Sequence, residues 1–77
     1  MQRSYKPNKT PEKVAFGKRL KRKRQEQELT QETLAEKADL NCSYVSQVER
    51  GERNISLENI WALAKALNIS PRELFPE

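Results

Sequence analysis

The sequence predicts an all-α fold of five helices and no strand, and three observations support that prediction. Apolar residues recur at spacings of three and four in successive segments, the pattern of helices with one buried face. Residues that cap helix N-termini precede these segments, as Thr30 and Ser56 do. Residues that end helices follow them, among them Gly51 and Pro76. A chain of 77 residues patterned in this way predicts one compact helical domain.

The first helix is predicted to begin at Thr10 and Pro11. Threonine is a favourable N-cap, and proline is favoured at the first helical position because its missing N–H needs no partner there. Phe16 and Leu20 lie four residues apart and face the same side. The helix is predicted to run to about Glu28.

The second and third helices are predicted at residues 31–37 and 42–50, with Thr30 and Asn41 as their N-caps. Their apolar residues make one-sided stripes, so the two helices pack against each other and the core. The apolar residues of this pair are Leu34, Ala35, Ala38, Leu40, Val45 and Val48. The residues left for the exposed side of the third helix are Cys42, Ser43, Ser46 and Gln47.

The last third of the sequence contains the fourth and fifth predicted helices. Ser56 caps the fourth, and Asn68 is predicted to end it. Residues 70–73 form a capping box with proline at the first helical position, which predicts a short fifth helix that Pro76 stops. The apolar residues of the fourth helix are Leu57, Ile60, Leu63, Ala64 and Leu67.

Charge is distributed very unevenly along the chain. Residues 1–24 contain ten Lys or Arg and one acid, a net charge of +9, whereas residues 25–77 contain five bases and ten acids, a net charge of −5. The basic end is expected to be attracted to phosphate. Residues 1–9 have no apolar period and are predicted to be a disordered basic arm. This arm is either a solvated tail or a segment that follows DNA phosphate or enters a minor groove.

Several classes of function are excluded by composition. No run of about 18 apolar residues exists to span a membrane, and the basic N-terminus lacks the apolar core of a signal peptide. One cysteine and no histidine leave no internal disulfide and no zinc site, and fit a cytoplasmic protein. No nucleophile with an evident base and no glycine-rich phosphate loop is present. We therefore expect no enzyme activity, no cofactor and no small-molecule ligand.

The helix pair resembles the helix-turn-helix of the phage repressor and Cro family. The resemblance covers residues 16–75, with the motif at 31–50, and implies a compact repressor-like DNA-binding domain over residues 10–77. Asp39 stands where the family usually has glycine in a left-handed turn, which aspartate tolerates. The segment SYVSQVERGERNIS is most similar to restriction–modification controller proteins, which are small homodimeric regulators. The residues that carry the resemblance are Gln31, Ala35, Leu40, Val45, Val48, Glu49, Arg50 and Gly51.

The resemblance also implies a DNA interface. Gln47 is the strongest candidate for base recognition, since an amide can bond N6 and N7 of adenine together. For Arg50 and Arg53 the alternative is a surface charge paired with Glu49 or Glu52, and for Tyr44 it is packing within the motif. The implied base-contacting residues are Asn41, Cys42, Ser43, Ser46 and Gln47. The implied phosphate-binding residues are Gln31, Tyr44, Arg50, Arg53 and Asn54, with Arg3, Lys6 and Lys9 in the arm.

Two further features concern structure and assembly. By resemblance, Arg24 and Glu49 form an ion pair that joins the first helix to the third. A homodimer is expected to form through the fourth and last helices, with Trp61, Ile69 and Phe75 in the interface, because aromatic residues are enriched at interfaces. The alternative for Trp61 is packing against the last helix of its own chain.

The function that follows is sequence-specific regulation of transcription, with a homodimer bound to a palindromic operator in double-stranded DNA. Two alternatives stay open at this point. The same fold serves as a protein-interaction adaptor or an antitoxin-like module, although such a protein would favour apolar residues on the exposed side of the third helix. RNA binding through the basic first helix is the other, although the stacking aromatics used for RNA are missing.

Overall fold

The structure, a computed structural model, describes residues 8–76 and is all-helical over that range, without a strand. The all-α prediction is confirmed, but the predicted number of α-helices is wrong, because the fifth helical segment is a 3₁₀ helix. Arg3 and Lys6, with most of the predicted arm, lie outside the described residues. The helices are α1 (Pro11–Glu26), α2 (Gln31–Ala38), α3 (Cys42–Glu49), α4 (Leu57–Leu67) and the 3₁₀ helix Pro71–Leu74.

The four α-helices begin where their capping residues predict. The side chains of Thr10 and Thr30 accept hydrogen bonds from backbone N–H groups three residues later, at 3.2 and 3.0 Å. Ser56 does the same for α4 at 3.2 Å, and Asn41 accepts from the N–H of Ser43 at 2.7 Å. Each cap satisfies an N–H that the helix itself leaves without a partner.

Three helices are followed, within two residues, by a non-glycine residue with left-handed backbone. These residues are Glu28, Asp39 and Asn68, with φ of 57°, 58° and 57°. Asp39 therefore takes the conformation expected of the turn between α2 and α3. Helix α1 ends at Glu26, two residues earlier than predicted, because Glu28 is left-handed and the N–H of Leu29 returns to the carbonyl of Arg24 at 3.2 Å.

The last segment forms a 3₁₀ helix because proline bounds it closely on both sides. The Glu73 carboxylate accepts from the N–H of Ser70 at 3.0 Å, as the capping box predicts. Phe75 precedes Pro76 and is extended, with φ −100° and ψ 129°, since a residue before proline avoids the helical region. Four residues are too few to complete a second α-helical turn.

The core lies where α1 and α2 pack on α3 and where α4 packs on α2 and the 3₁₀ helix. Gly17 lets α1 approach α3 closely, because a Cβ there would meet the carbonyl oxygens of Val48 and Glu49. Leu57, predicted on the inner stripe of α4, is 67% exposed, since it is the first residue of the helix and projects beyond the core. The buried apolar residues are Phe16, Leu20, Leu34, Ala35, Ala38, Val45, Val48, Ile60, Leu63, Ala64, Leu67 and Leu74.

Candidate nucleic-acid interface

The outer side of α3 presents a short polar surface. Asn41 and Ser43 are exposed, and Ser46 and Gln47 are half-buried one turn later. Cys42 was expected on this surface, but it packs against the core beside Ala35 and Leu40. The reason is its spacing: Cys42 lies three residues before the fully buried Val45 and shares its face of the helix.

Gln47 is held by an arginine from the loop that follows α3. The Nε of Arg53 donates to Oε1 of Gln47 at 2.9 Å. The guanidinium of Arg53 lies over the Tyr44 ring, 5.1 Å from its centre, a cation–π contact. The Tyr44 hydroxyl accepts from Nδ2 of Asn59 on α4 at 3.0 Å. Tyr44 therefore contacts α4 and the loop that follows α3, and Arg53 binds Gln47.

Arg50 is the second arginine at this surface. Its guanidinium donates to both carboxylate oxygens of Glu52, at 3.0 and 3.1 Å, and also to the Ser46 hydroxyl. Lys9 approaches the same carboxylate at 4.0 Å. The hydrogen bond from Arg50 holds the pKa of Glu52 below its ordinary value, and the opposing effect of burial is smaller. Arg50 and Glu52 thus form the surface ion pair that the sequence suggested as an alternative. The Arg50 side chain stays exposed.

A buried polar cluster lies behind α3. Arg24 donates from Nε to Oε2 of Glu49 at 2.6 Å and from Nη2 to Oε1 at 3.0 Å. Its Nη1 donates to the carbonyl of Leu29 at 2.8 Å. Gln31 donates its amide to Oε1 of Glu49 at 2.9 Å, so a side chain expected to bind phosphate is engaged inside the protein. The cluster joins α1 and α2 to the C-terminal end of α3 and fixes how that helix is presented.

Much of the positive charge of α1 is used within the protein. Arg19 donates to the carbonyl of Glu73 at 2.9 Å, and Lys23 lies 3.8 Å from the Glu73 carboxylate. Arg22 pairs with Glu26 at 3.4 Å across one helical turn. In the segment 18–24, the exposed lysines at 18 and 21 carry the charge that remains available to a partner.

Large apolar side chains are exposed around α4 and the C-terminal segment. Trp61 is 56% exposed and Phe75 46%, while Ile69 is half-buried against the core. Phe75 also packs edge-on against Phe16, with ring centres 5.4 Å apart. Trp61 lines a shallow apolar depression with Leu57 and does not pack into the core. The sequence did not single out Leu57 for this surface.

Residues 8–76 offer neither a metal site nor a membrane span. No group of three or more Cys, Asp or Glu side chains lies close enough together there to hold a metal ion. None of the helices in this range is long and apolar enough to cross a membrane.

The comparison with protein families agrees with the geometry of α2 and α3. Residues 20–74 match the family model described as helix-turn-helix. The chain belongs to the helix-turn-helix family. Similar proteins include control protein C.BamHI of Bacillus amyloliquefaciens, 40% identical over 63 residues, and control protein C.MunI of Mycoplasma sp, 41% identical over 66 residues. These alignments cover 80% and 84% of this chain and 78% and 89% of the relatives.

A solved structure is similar to most of this chain. It is the restriction-modification controller protein C.AhdI from Aeromonas hydrophila, with 58% identity and a TM-score of 0.80. The match covers 80% of this chain and 94% of the other. The resemblance predicted from the motif residues is thereby confirmed, including its similarity to controller proteins.

Proposed function

We propose that this chain is a sequence-specific DNA-binding regulator of transcription that binds a palindromic operator as a homodimer, as a controller protein of a restriction–modification system. The observation that carries the proposal is the polar outer side of α3. Ser43, Ser46 and Gln47 stand there on a helix that a buried ion pair holds from behind. A helix of this kind fits the major groove, which is about 12 Å wide.

Base recognition is assigned to Asn41, Ser43, Ser46 and Gln47. Cys42 is left out of this group because its side chain packs toward α2. Hydroxyl and amide groups both donate and accept hydrogen bonds, which suits them to the mixed edges of base pairs. The side of α3 opposite the core therefore supplies discrimination between sequences.

Phosphate binding is assigned to groups that flank α3. Arg50, Arg53 and Asn54 are exposed after its C-terminal end, and Gln31 begins α2 with backbone N–H groups that suit an anion. Tyr44 contributes through the arginine that lies on its ring. Arg3, Lys6 and Lys9 add positive charge from the N-terminal arm. Deletion of residues 1–9 should lower the slope of log affinity against log salt by about 0.9 for each phosphate that the arm no longer neutralises.

The dimer is assigned to the face formed by α4 and the C-terminal segment. Exposed apolar groups of this size are typical of interfaces, and Leu57 extends the predicted set of Trp61, Ile69 and Phe75. A single helix-turn-helix contacts few base pairs, and a two-fold pair doubles the site.

Sedimentation at micromolar concentration should give a dimer for the wild type and a folded monomer for Trp61→Glu. A monomeric wild type would rule out the dimer, and a dimeric mutant would move the interface elsewhere.

The function itself is tested by selecting bound fragments from random duplex DNA and sequencing them. The expected result is one enriched palindrome whose half-sites lie about 34 Å apart, one turn of DNA. Sequence-specific regulation would be rejected if the recovered fragments shared no sequence and the wild type bound them no more tightly than random duplex. That result would favour the adaptor alternative, although the polar outer side of α3 does not suit it.

A further inference from the structure

The amide of Gln47 has a defined orientation in the free protein. Its Oε1 accepts from Nε of Arg53 at 2.9 Å. A guanidinium has donors and no acceptor, so the end of the amide that faces Arg53 must be the oxygen. The NH₂ end, with two donors, is therefore directed away from Arg53.

Arg53 makes a second contact besides the one to Gln47. Its guanidinium lies 5.1 Å from the centre of the Tyr44 ring, and the Tyr44 hydroxyl is bound by Asn59 on α4 at 3.0 Å. The adjacent carboxylate of Glu52 accepts two hydrogen bonds from Arg50. The Arg53 guanidinium thus lies over an aromatic ring while its Nε donates to Gln47.

The orientation of the amide decides which base edge it matches. Adenine in the major groove presents an acceptor at N7 and a donor at N6, so bidentate recognition needs both ends of the amide. Guanine presents acceptors at N7 and O6 and needs donors alone. An amide whose oxygen is bound to Arg53 offers the NH₂ donors that guanine accepts.

We infer that Arg53 is a specificity-determining positioning residue, which orients Gln47 so that it recognises guanine in place of the adenine expected for a free amide. The inference rests on the proposed function, since it concerns the base contacted by the same helix. Arg53 acts here through Gln47, whatever phosphate contact it also makes.

The test compares the bases selected by the wild type, Arg53→Ala, Arg53→Lys and Gln47→Ala from one pool of random duplex. Gln47→Ala identifies the operator position concerned, because the preference there disappears. At that position the wild type should select guanine. Arg53→Ala should shift the guanine-to-adenine ratio toward adenine by about three- to tenfold, the range that one hydrogen bond spans. Arg53→Lys retains a donor for Oε1 and should restore the preference for guanine.

A double variant separates orientation of the amide from general loss of affinity. In the Gln47→Ala background, Arg53→Ala should lower binding to all four bases at that position by the same factor. The inference would be overturned if the wild type selected adenine at that position, or if Arg53→Ala left the guanine-to-adenine ratio unchanged. Either result would leave the regulator function intact. If the wild type enriches no sequence, the proposed function fails, and this inference with it.

Discussion

Two arginine–glutamate pairs lie at the C-terminal end of α3, and they differ in burial more than in geometry. Arg24 and Glu49 are joined by hydrogen bonds of 2.6 and 3.0 Å, and Arg50 and Glu52 by bonds of 3.0 and 3.1 Å. The side chains of the first pair are 10% and 2% exposed, whereas those of the second are 51% and 18% exposed. The same fork-shaped contact is therefore internal in one case and open to water in the other.

Burial gives the two pairs different roles. Within the protein, removal of Glu49 leaves the buried Arg24 guanidinium without a carboxylate to balance its charge. At the surface, water and salt screen the pair of Arg50 and Glu52, and exposed pairs of this kind add little stability. The inner pair joins α3 to α1, and we propose that the outer arginine exchanges its carboxylate for a phosphate when DNA binds.

The largest effect is expected from breaking the inner pair. Glu49→Ala should lower the free energy of unfolding by about 3–5 kcal/mol, because a charged group is left buried and unpaired. Urea denaturation followed by circular dichroism measures this. Glu52→Ala is the matched control in the outer pair and should leave the midpoint nearly unchanged. Equal losses in the two variants would show that burial does not distinguish the pairs.

A smaller loss is expected where α1 meets the backbone of the same helix. Gly17→Ala places a methyl group against the carbonyl oxygens of Val48 and Glu49. Overpacking of this kind costs about 1–3 kcal/mol, and urea denaturation measures it. Gln25→Ala, on the exposed side of α1, serves as the control. Elsewhere in a helix, alanine is more favourable than glycine by about 1 kcal/mol, so a stabilised variant would show that the two helices do not touch closely here.

Local chemistry made most of the fold predictable from the sequence. The starts of the helices follow from caps that act within three residues, as at Thr10 and Ser56. The end of α1 could not be predicted, because glutamate is a good helix former and nothing local marks Glu28 as left-handed. The amide of Gln27 helps to hold that end by donating to the carbonyl of Leu67 at 2.6 Å, a contact across 40 residues.

The candidate interface was predictable in its location but not in its contacts. Spacing placed Ser46 and Gln47 on the outer side of α3. It could not show that Arg53 would bind Gln47, since the contact depends on a loop and on the Tyr44 ring. Cys42 packs against the core instead, because it lies three residues before the buried Val45 and shares its side of the helix.

The outer pair is tested by its effect on DNA rather than on folding. Arg50→Ala should leave stability nearly unchanged, because the side chain is exposed. It should weaken binding to selected and random duplexes alike and lower the salt slope by about 0.9, the value for one phosphate contact. Fluorescence anisotropy at several salt concentrations measures both quantities. A loss confined to the selected duplex would instead assign Arg50 to base recognition.

The smallest effect concerns acid. Because Arg50 lowers the pKa of Glu52, the contribution of this pair to stability is fully present above the ordinary carboxyl pKa of 4.5. It is lost as the pH falls through the lowered value, where Glu52 becomes protonated. The small difference in stability between wild type and Glu52→Gln should therefore disappear in acid, as urea denaturation at a series of pH values will show. A difference that grows in acid would contradict the lowered pKa.

The central claim is that the outer side of α3 recognises base sequence. The most direct test measures the affinity of Gln47→Ala for the selected operator and for random duplex at one salt concentration. Gln47 is expected to contact a base, so the variant should lose about 1–3 kcal/mol on the operator and bind random duplex as the wild type does. Equal losses on the two duplexes would contradict base recognition by this helix and would leave Gln47 as a contact to the DNA backbone.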